Sequence, residues 1–130
     1  MPTLKPSGYS TLSPYLIVPG AQAVIDFLQA TFDAVPLRRH DGPEGGIMHA
    51  EVRIDDTVVM IADATAQWPP APANLHVYVA DVDATYRRAL EAGGVSVAAP
   101  SQRDDSSDTD RRGGVRDSGG NTWWIATQMR

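Results

Sequence analysis

The sequence states one architectural unit twice. From Leu16, LIVPGAQAVIDFLQATFDAV presents an apolar strand, a Pro-Gly break and an amphipathic helix, and from Val77, VYVADVDATYRRALEAGGVSV repeats that order at similar spacing. Each copy is followed by three further strand-like segments. A unit of this kind cannot bury its own apolar face and has to stack on a relative. The chain is therefore expected to fold as two β-α-β-β-β modules, residues 9–63 and 74–128, joined by a Pro-rich hinge over 64–73 within a single domain of 130 residues.

Several function classes are disfavoured by composition. The formal charge is -5 and the Arg residues are scattered, which argues against a nucleic-acid partner, since phosphate binding runs on clustered Lys and Arg. With no cysteine, thiolate metal sites and a Cys nucleophile are absent. No apolar run approaches the roughly 20 residues needed to span a bilayer, so no membrane partner is expected. The opening MPTLKPSGYS lacks the pattern of a secretory signal, and a cytoplasmic location is the expectation.

Along the chain, Thr11 to Val18 reads as a strand and Ala21 to Phe32 as a helix, with Val24, Ile25, Leu28 and Phe32 on its buried stripe. Pro36 to His40 is a short strand before the turn DGPEGG. Ile47 to Ile54 alternates, placing Met48, Ala50, Val52 and Ile54 on one face and Ile47, His49, Glu51 and Arg53 on the other. Thr57 to Ala62 is the fourth strand. In the second copy, Leu75 to Val79 is a strand and Asp81 caps a helix from Val82 to Ala92, whose expected stripe is Val82, Tyr86, Ala89 and Leu90. Val95 to Ala99, Gly113 to Arg116 and Thr122 to Thr127 complete the strands, with a mobile polar loop expected over 101–112.

The segments NLHVYVADVDATYRRALEAGG, IMHAEVRIDDTVVMIAD and DRRGGVRDSGGNTWWIAT resemble the vicinal oxygen chelate superfamily of glyoxalases, extradiol dioxygenases and bleomycin-resistance proteins, and within it the PhnB-like branch. The resemblance implies an α+β fold in which two βαβββ modules form a mixed sheet curled into a cup, with the helices outside and the ligand within. The modules pair either in one chain or by exchange across a homodimer. Metal-binding relatives draw His and Glu ligands from the first and last strands of each module.

Carried onto this chain, those four positions fall on Ser13, Met60, Asn74 and Trp124. None is a normal ligand for Zn, Fe, Ni or Mn, so no metal or other cofactor is expected. Strand parity then puts Tyr15 and Ile17, and His76 and Tyr78, into the cup beside Ser13 and Asn74. With His49, Glu51, Arg53, Met60 and Trp124, the expected lining is aromatic with a few polar groups, suited to a planar or amphipathic organic ligand. Two alternatives use the same residues. His49, Glu51 and His76 could make a relocated metal site, or Glu51 and His49 an acid-base pair for a glyoxalase-like lyase or isomerase, with burial raising the carboxyl toward neutrality. The plainer alternative is a hydrogen-bonded network in which Glu51 pairs with Arg53. Parity also separates two neighbours: Trp123 and Ile125 face the helices, and Trp124 faces the cup.

Overall fold

A computed structural model describes residues 4–102 and 109–129. The repeat becomes two copies of one element order. The first is β1 (Tyr15–Val18), α1 (Ala21–Phe32), β2 (Val35–Asp41), β3 (Ile47–Ile54) and β4 (Thr57–Asp63). The second is β5 (Asn74–Tyr78), α2 (Val82–Glu91), β6 (Val95–Gln102), β7 (Asp110–Arg116) and β8 (Thr122–Gln128). Each copy forms its own four-stranded mixed sheet, ordered β1-β4-β3-β2 and β5-β8-β7-β6. In both, the first strand runs parallel to the last and the remaining pairs are antiparallel.

Period-2 alternation decides which residues reach the helices. β1 buries Leu16 and Val18, β3 buries Ala50, Val52 and Ile54, and β4 buries Val59 and Ile61, all packed with Val24, Ile25, Phe27 and Leu28 of α1. Val82, Ala89, Val115, Trp123 and Ile125 of the second module belong to the same cluster. The modules meet where the Phe32 ring lies 5.5 Å from that of Trp123. They meet again at the β7–β8 turn, where a Cβ on Gly119 would sit 2.8 Å from Val18 Cγ1. Only glycine allows that approach. Both sheets thus give their inner faces to one core, and their outer faces turn away from it.

Two carboxylates fix the helix starts. Asp81 accepts from Ala84 N at 3.1 Å, the cap expected for α2. Asp63, at the end of β4, accepts from Ala21 N and from Ile47 N, both at 2.7 Å, and so joins the start of α1 to the start of β3.

Several expectations are revised. β1 begins at Tyr15, not Thr11, because Ser10 and Ser13 turn the preceding chain: Ser10 Oγ accepts from Val58 N and bonds Ser13 Oγ at 3.0 Å. Leu90 is exposed, and α2 buries Val82, Thr85 and Ala89, which keep to one stripe at helical spacing while Leu90 lies about 100° further round. Met48 is 61% exposed and Ile47 is buried in its place, since the register slips opposite His40 and Asp41 before regular alternation sets in at Ala50. β6 runs on to Gln102 and β7 starts at Asp110, so the expected loop over 101–112 is shorter at both ends. Ser101 and Gln102 pair with Arg112 and Arg111 through backbone bonds that polar side chains do not oppose. Residues 103–108 of that loop lie outside the described residues. Among the described residues, no helix is long and apolar enough to cross a membrane.

Candidate functional site

On the outer face of the first sheet, β1, β3 and β4 bring together Tyr15, His49, Glu51, Arg53 and Met60. Met60 sits opposite both Tyr15 and Glu51 in the ladder. A chain of hydrogen bonds crosses this face. Tyr15 Oη lies 2.8 Å from His49 Nδ1, and His49 Nε2 lies 2.8 Å from Glu51 Oε2. The other carboxylate oxygen, Oε1, accepts from the hydroxyl of Tyr9. Tyr9 reaches in from the segment that precedes β1, and Arg38 of β2 stands over its ring, 5.1 Å from the centroid. Glu51 is only 5% exposed, although it lies on the outer face. Its partners are Tyr9 and His49, not Arg53.

The electrostatics follow from these contacts. Burial on its own pushes the Glu51 carboxyl up, but the hydrogen bonds from Tyr9 and His49, with the charges of His49 and Arg38, outweigh it and hold the carboxyl below its ordinary value. The expectation that burial carries Glu51 toward neutrality is therefore corrected. Tyr9 is displaced the other way: its hydrogen bond to Glu51, then desolvation and the carboxylate charge, raise the phenol above its ordinary value. It stays a proton donor. With Glu51 ionised, His49 Nε2–H donates to it, and when the imidazole is neutral its Nδ1 lone pair is left to accept from Tyr15.

Beside this chain lies a cavity of about 850 Å³, walled by Tyr15, Ile17, Ile47, Met48, Ala62 and Trp68. Trp68, 67% exposed, belongs to the segment between β4 and β5, where Thr65 Oγ1 accepts from its backbone N–H at 3.0 Å. Glu44 and Asp63 supply carboxylates to the lining. Both oxygens of Asp63 are already engaged by backbone N–H groups.

Asn74, His76, Tyr78 and Trp124 lie together on the outer face of the second sheet. Trp124 rests across Gly114, where a Cβ would come within 2.7 Å of its ring, and its indole N–H donates to Asn74 Oδ1 at 3.1 Å. Arg112 donates to His76 Nε2 at 3.1 Å and to Asp110 Oδ2 at 3.0 Å, and Tyr78 donates to the same Asp110 oxygen at 2.7 Å. The His76 and Tyr78 rings meet edge to face at 4.8 Å. Trp123 is 1% exposed on the opposite face, its indole N–H held by Asp117 at 2.8 Å. The parity assigned to this strand is what the structure has.

The expected lining is thus split. Tyr15, His49, Glu51, Arg53 and Met60 occupy one sheet, and Asn74, His76, Tyr78 and Trp124 the other. No hydrogen bond or ring contact joins the two sets among the described residues. In particular, His76 stands apart from His49 and Glu51. Tyr9 and Trp68 are the additions. Tyr9 lies in an aperiodic lead-in and Trp68 in a proline-rich link, so neither carried a strand or helix signal.

A family model described as the Glyoxalase/Bleomycin resistance protein/Dioxygenase superfamily matches residues 11–125. The chain belongs to that superfamily. It is 38% identical over 130 residues to the Mycobacterium bovis protein Mb0911c, across 92% of this chain and 84% of that protein. It is equally similar to Rv0887c of Mycobacterium tuberculosis, of which 75% is covered. Among solved structures it superposes on TioX from Micromonospora sp. ML1 with a TM-score of 0.74 at 22% identity, covering 92% of this chain and 98% of that one. TnmS3, an antibiotic binding protein from Streptomyces sp. CB03234, superposes with a TM-score of 0.68 at 21% identity, covering 98% and 99%. At these identities the structural likeness concerns the fold.

The residues at the superfamily's metal positions do not fit a metal ion. Asn74 and Trp124 are bonded to each other, Ser13 to Ser10, and Met60 offers only a thioether. Among the described residues, no group of three His, Asp or Glu side chains is placed to hold one.

Proposed function

We propose that this protein binds a planar or amphipathic organic molecule without a metal, as a cytoplasmic homodimer of the PhnB-like branch. The observation that carries the reading is the cavity on the outer face of the first sheet. Its volume of about 850 Å³ falls within the range of about 300–1,000 Å³ common to small-molecule sites. Its walls combine Ile17, Met48 and Ala62 with the rings of Tyr15 and Trp68, an apolar slot with an adjustable thioether and two flat faces. The likeness to TnmS3, an antibiotic binding protein, supports a small organic ligand.

The direction of the two outer faces supports the dimer. Within one chain they turn away from a shared core, so the second sheet does not cover the first. A second copy related by a twofold axis would close the cleft, laying its Trp124 and Tyr78 face over the Tyr15 face. A lyase or isomerase built on His49, Glu51 and His76 finds no support within one chain, because His76 stands on the other sheet.

The test is a fluorescence titration with acridone, a planar tricycle. Saturable quenching is expected, and Trp68→Phe should remove most of it. An emission that falls only linearly with acridone, unchanged by Trp68→Phe, would refute the site.

A further inference from the structure

The hydrogen-bond chain ends at the cavity wall, and its direction decides what the wall presents. Glu51 is ionised and buried, with both oxygens occupied. In its neutral form His49 then holds its proton on Nε2 and accepts a hydrogen bond from the Tyr15 hydroxyl at Nδ1. Since Tyr15 donates inward, its oxygen offers the cavity lone pairs. Tyr15 is 49% exposed and lines the cavity, while His49 stands one hydrogen bond behind it. A carboxylate that orients an imidazole, whose second nitrogen accepts from a hydroxyl, is the arrangement that makes a proton acceptor of that hydroxyl.

We propose that Tyr15 and His49, backed by Glu51, form a proton-accepting unit in the cavity wall, and that the ligand is a planar phenol or enol which gives up its proton on binding. The inference rests on the cavity being a binding site for a small organic molecule. The step balances without a co-reactant. The ligand O–H proton passes to Tyr15 Oη as the Tyr15 proton passes to His49 Nδ1. The ligand becomes its anion, held by the Tyr15 hydroxyl, and His49 becomes an imidazolium paired with the Glu51 carboxylate. Tyr9 is a positioning residue: its donated hydrogen bond keeps Glu51 ionised, which fixes the His49 tautomer.

The charged groups around His49 and the cavity act in both directions: Glu51 stabilises a His49 cation, Arg38 and Arg53 oppose it, and Glu44 and Asp63 of the lining oppose an anionic ligand. β3 itself contributes Glu51 and Arg53, and β1 contributes Tyr15. β2 contributes His40, opposite His49 in the ladder, and Arg38 over the Tyr9 ring. The lead-in contributes Tyr9, and β4 adds the uncharged Met60. Among these described residues Glu51 is the one carboxylate in hydrogen-bond contact with His49, and its charge stabilises the imidazolium.

Para-nitrophenol provides the test, because its phenolate is yellow and its phenol is not. With the intact protein, the bound probe should ionise at a pH about one unit or more below that of the free probe, a tenfold gain in phenolate fraction on the acid side. His49→Gln and Glu51→Gln should each abolish the displacement. Tyr15→Phe, which removes one half-exposed oxygen, should do the same and guards against a variant that fails to fold. Binding of the methyl ether, which has no proton to give, is measured beside it. If the ether and the phenol both bind and the phenol's ionisation is unmoved or shifted upward, the proton-accepting unit is refuted while the cavity stands. If neither binds, the cavity reading fails and the inference with it.

Discussion

Replacing Trp123 and Trp124 one at a time tests the assignment of inner and outer faces with opposite expected outcomes at adjacent positions. Trp123 is buried at 1% exposure, packs against the tilted Phe32 ring and donates its indole N–H to Asp117. Truncation to Ala removes a large core aromatic, at about 3–5 kcal/mol. With an unfolding entropy of about 0.27 kcal/mol/K for a chain of this length, the melting midpoint should fall by roughly 11–18 °C. Trp124→Ala removes a partly buried ring that rests on Gly114 and one hydrogen bond to Asn74. Its cost should be about 1–2 kcal/mol, or roughly 4–7 °C. Calorimetry or thermal circular dichroism on the two variants reads both values. A Trp124→Ala protein that melts far below Trp123→Ala would place β8 one residue out of register, and every outer-face assignment on the second sheet would fall with it.

Asp63→Ala should cost about 1–3 kcal/mol in thermal denaturation, because it orphans the N–H groups of Ala21 and Ile47 at once. An unchanged midpoint would mean that α1 begins without that carboxylate. Glu51 is held below its ordinary value of 4.5. Its stabilising contribution is therefore fully present above that pH and is lost as pH falls through the lower, folded-state value. Glu51→Gln should flatten this acid limb in a stability-versus-pH series, and an identical acid limb in both proteins would show that Tyr9 and His49 do not hold the carboxylate. EDTA should leave the melting midpoint where it is, since a native-state metal would be lost with a fall in stability. A drop that one particular divalent ion restores would contradict the metal-free reading.

The legible part of this fold is the part that local periodicity encodes. β8 pairs without a bulge, so the period of two set Trp123 and Trp124 on opposite faces from the sequence, and the β3 pattern put His49, Glu51 and Arg53 together. Periodicity tells the inner face of a strand from its outer face, but it does not say where two outer faces point relative to one another. That depends on Phe32 of α1 meeting Trp123 of β8 and on Gly119 approaching Val18, contacts between residues far apart in the chain. Tyr9 was illegible for a related reason. The lead-in around Pro6 and Gly8 has no repeat, and the role of Tyr9 exists only through a hydrogen bond to a carboxylate 42 positions away. Asp63 sat at the edge of a proline-rich link and gave no hint that it caps a helix 42 residues earlier. The carboxyl shift went the opposite way to the simple burial argument because the donors that outweigh burial come from those same distant contacts.

The central claim is that the Tyr15 face of one copy and the Trp124 face of another make a single binding cleft, and subunit mixing tests it directly. Tyr15→Ala and Trp124→Ala proteins should each bind acridone much more weakly than the unaltered chain. Unfolded together and refolded as an equal mixture, half of the dimers should be hybrids, each with one cleft free of either substitution, so that about a quarter of the full-affinity sites return. Recovery near that fraction is the predicted result. No recovery, from a mixture shown by mass spectrometry to contain the hybrid dimer, would contradict the shared cleft.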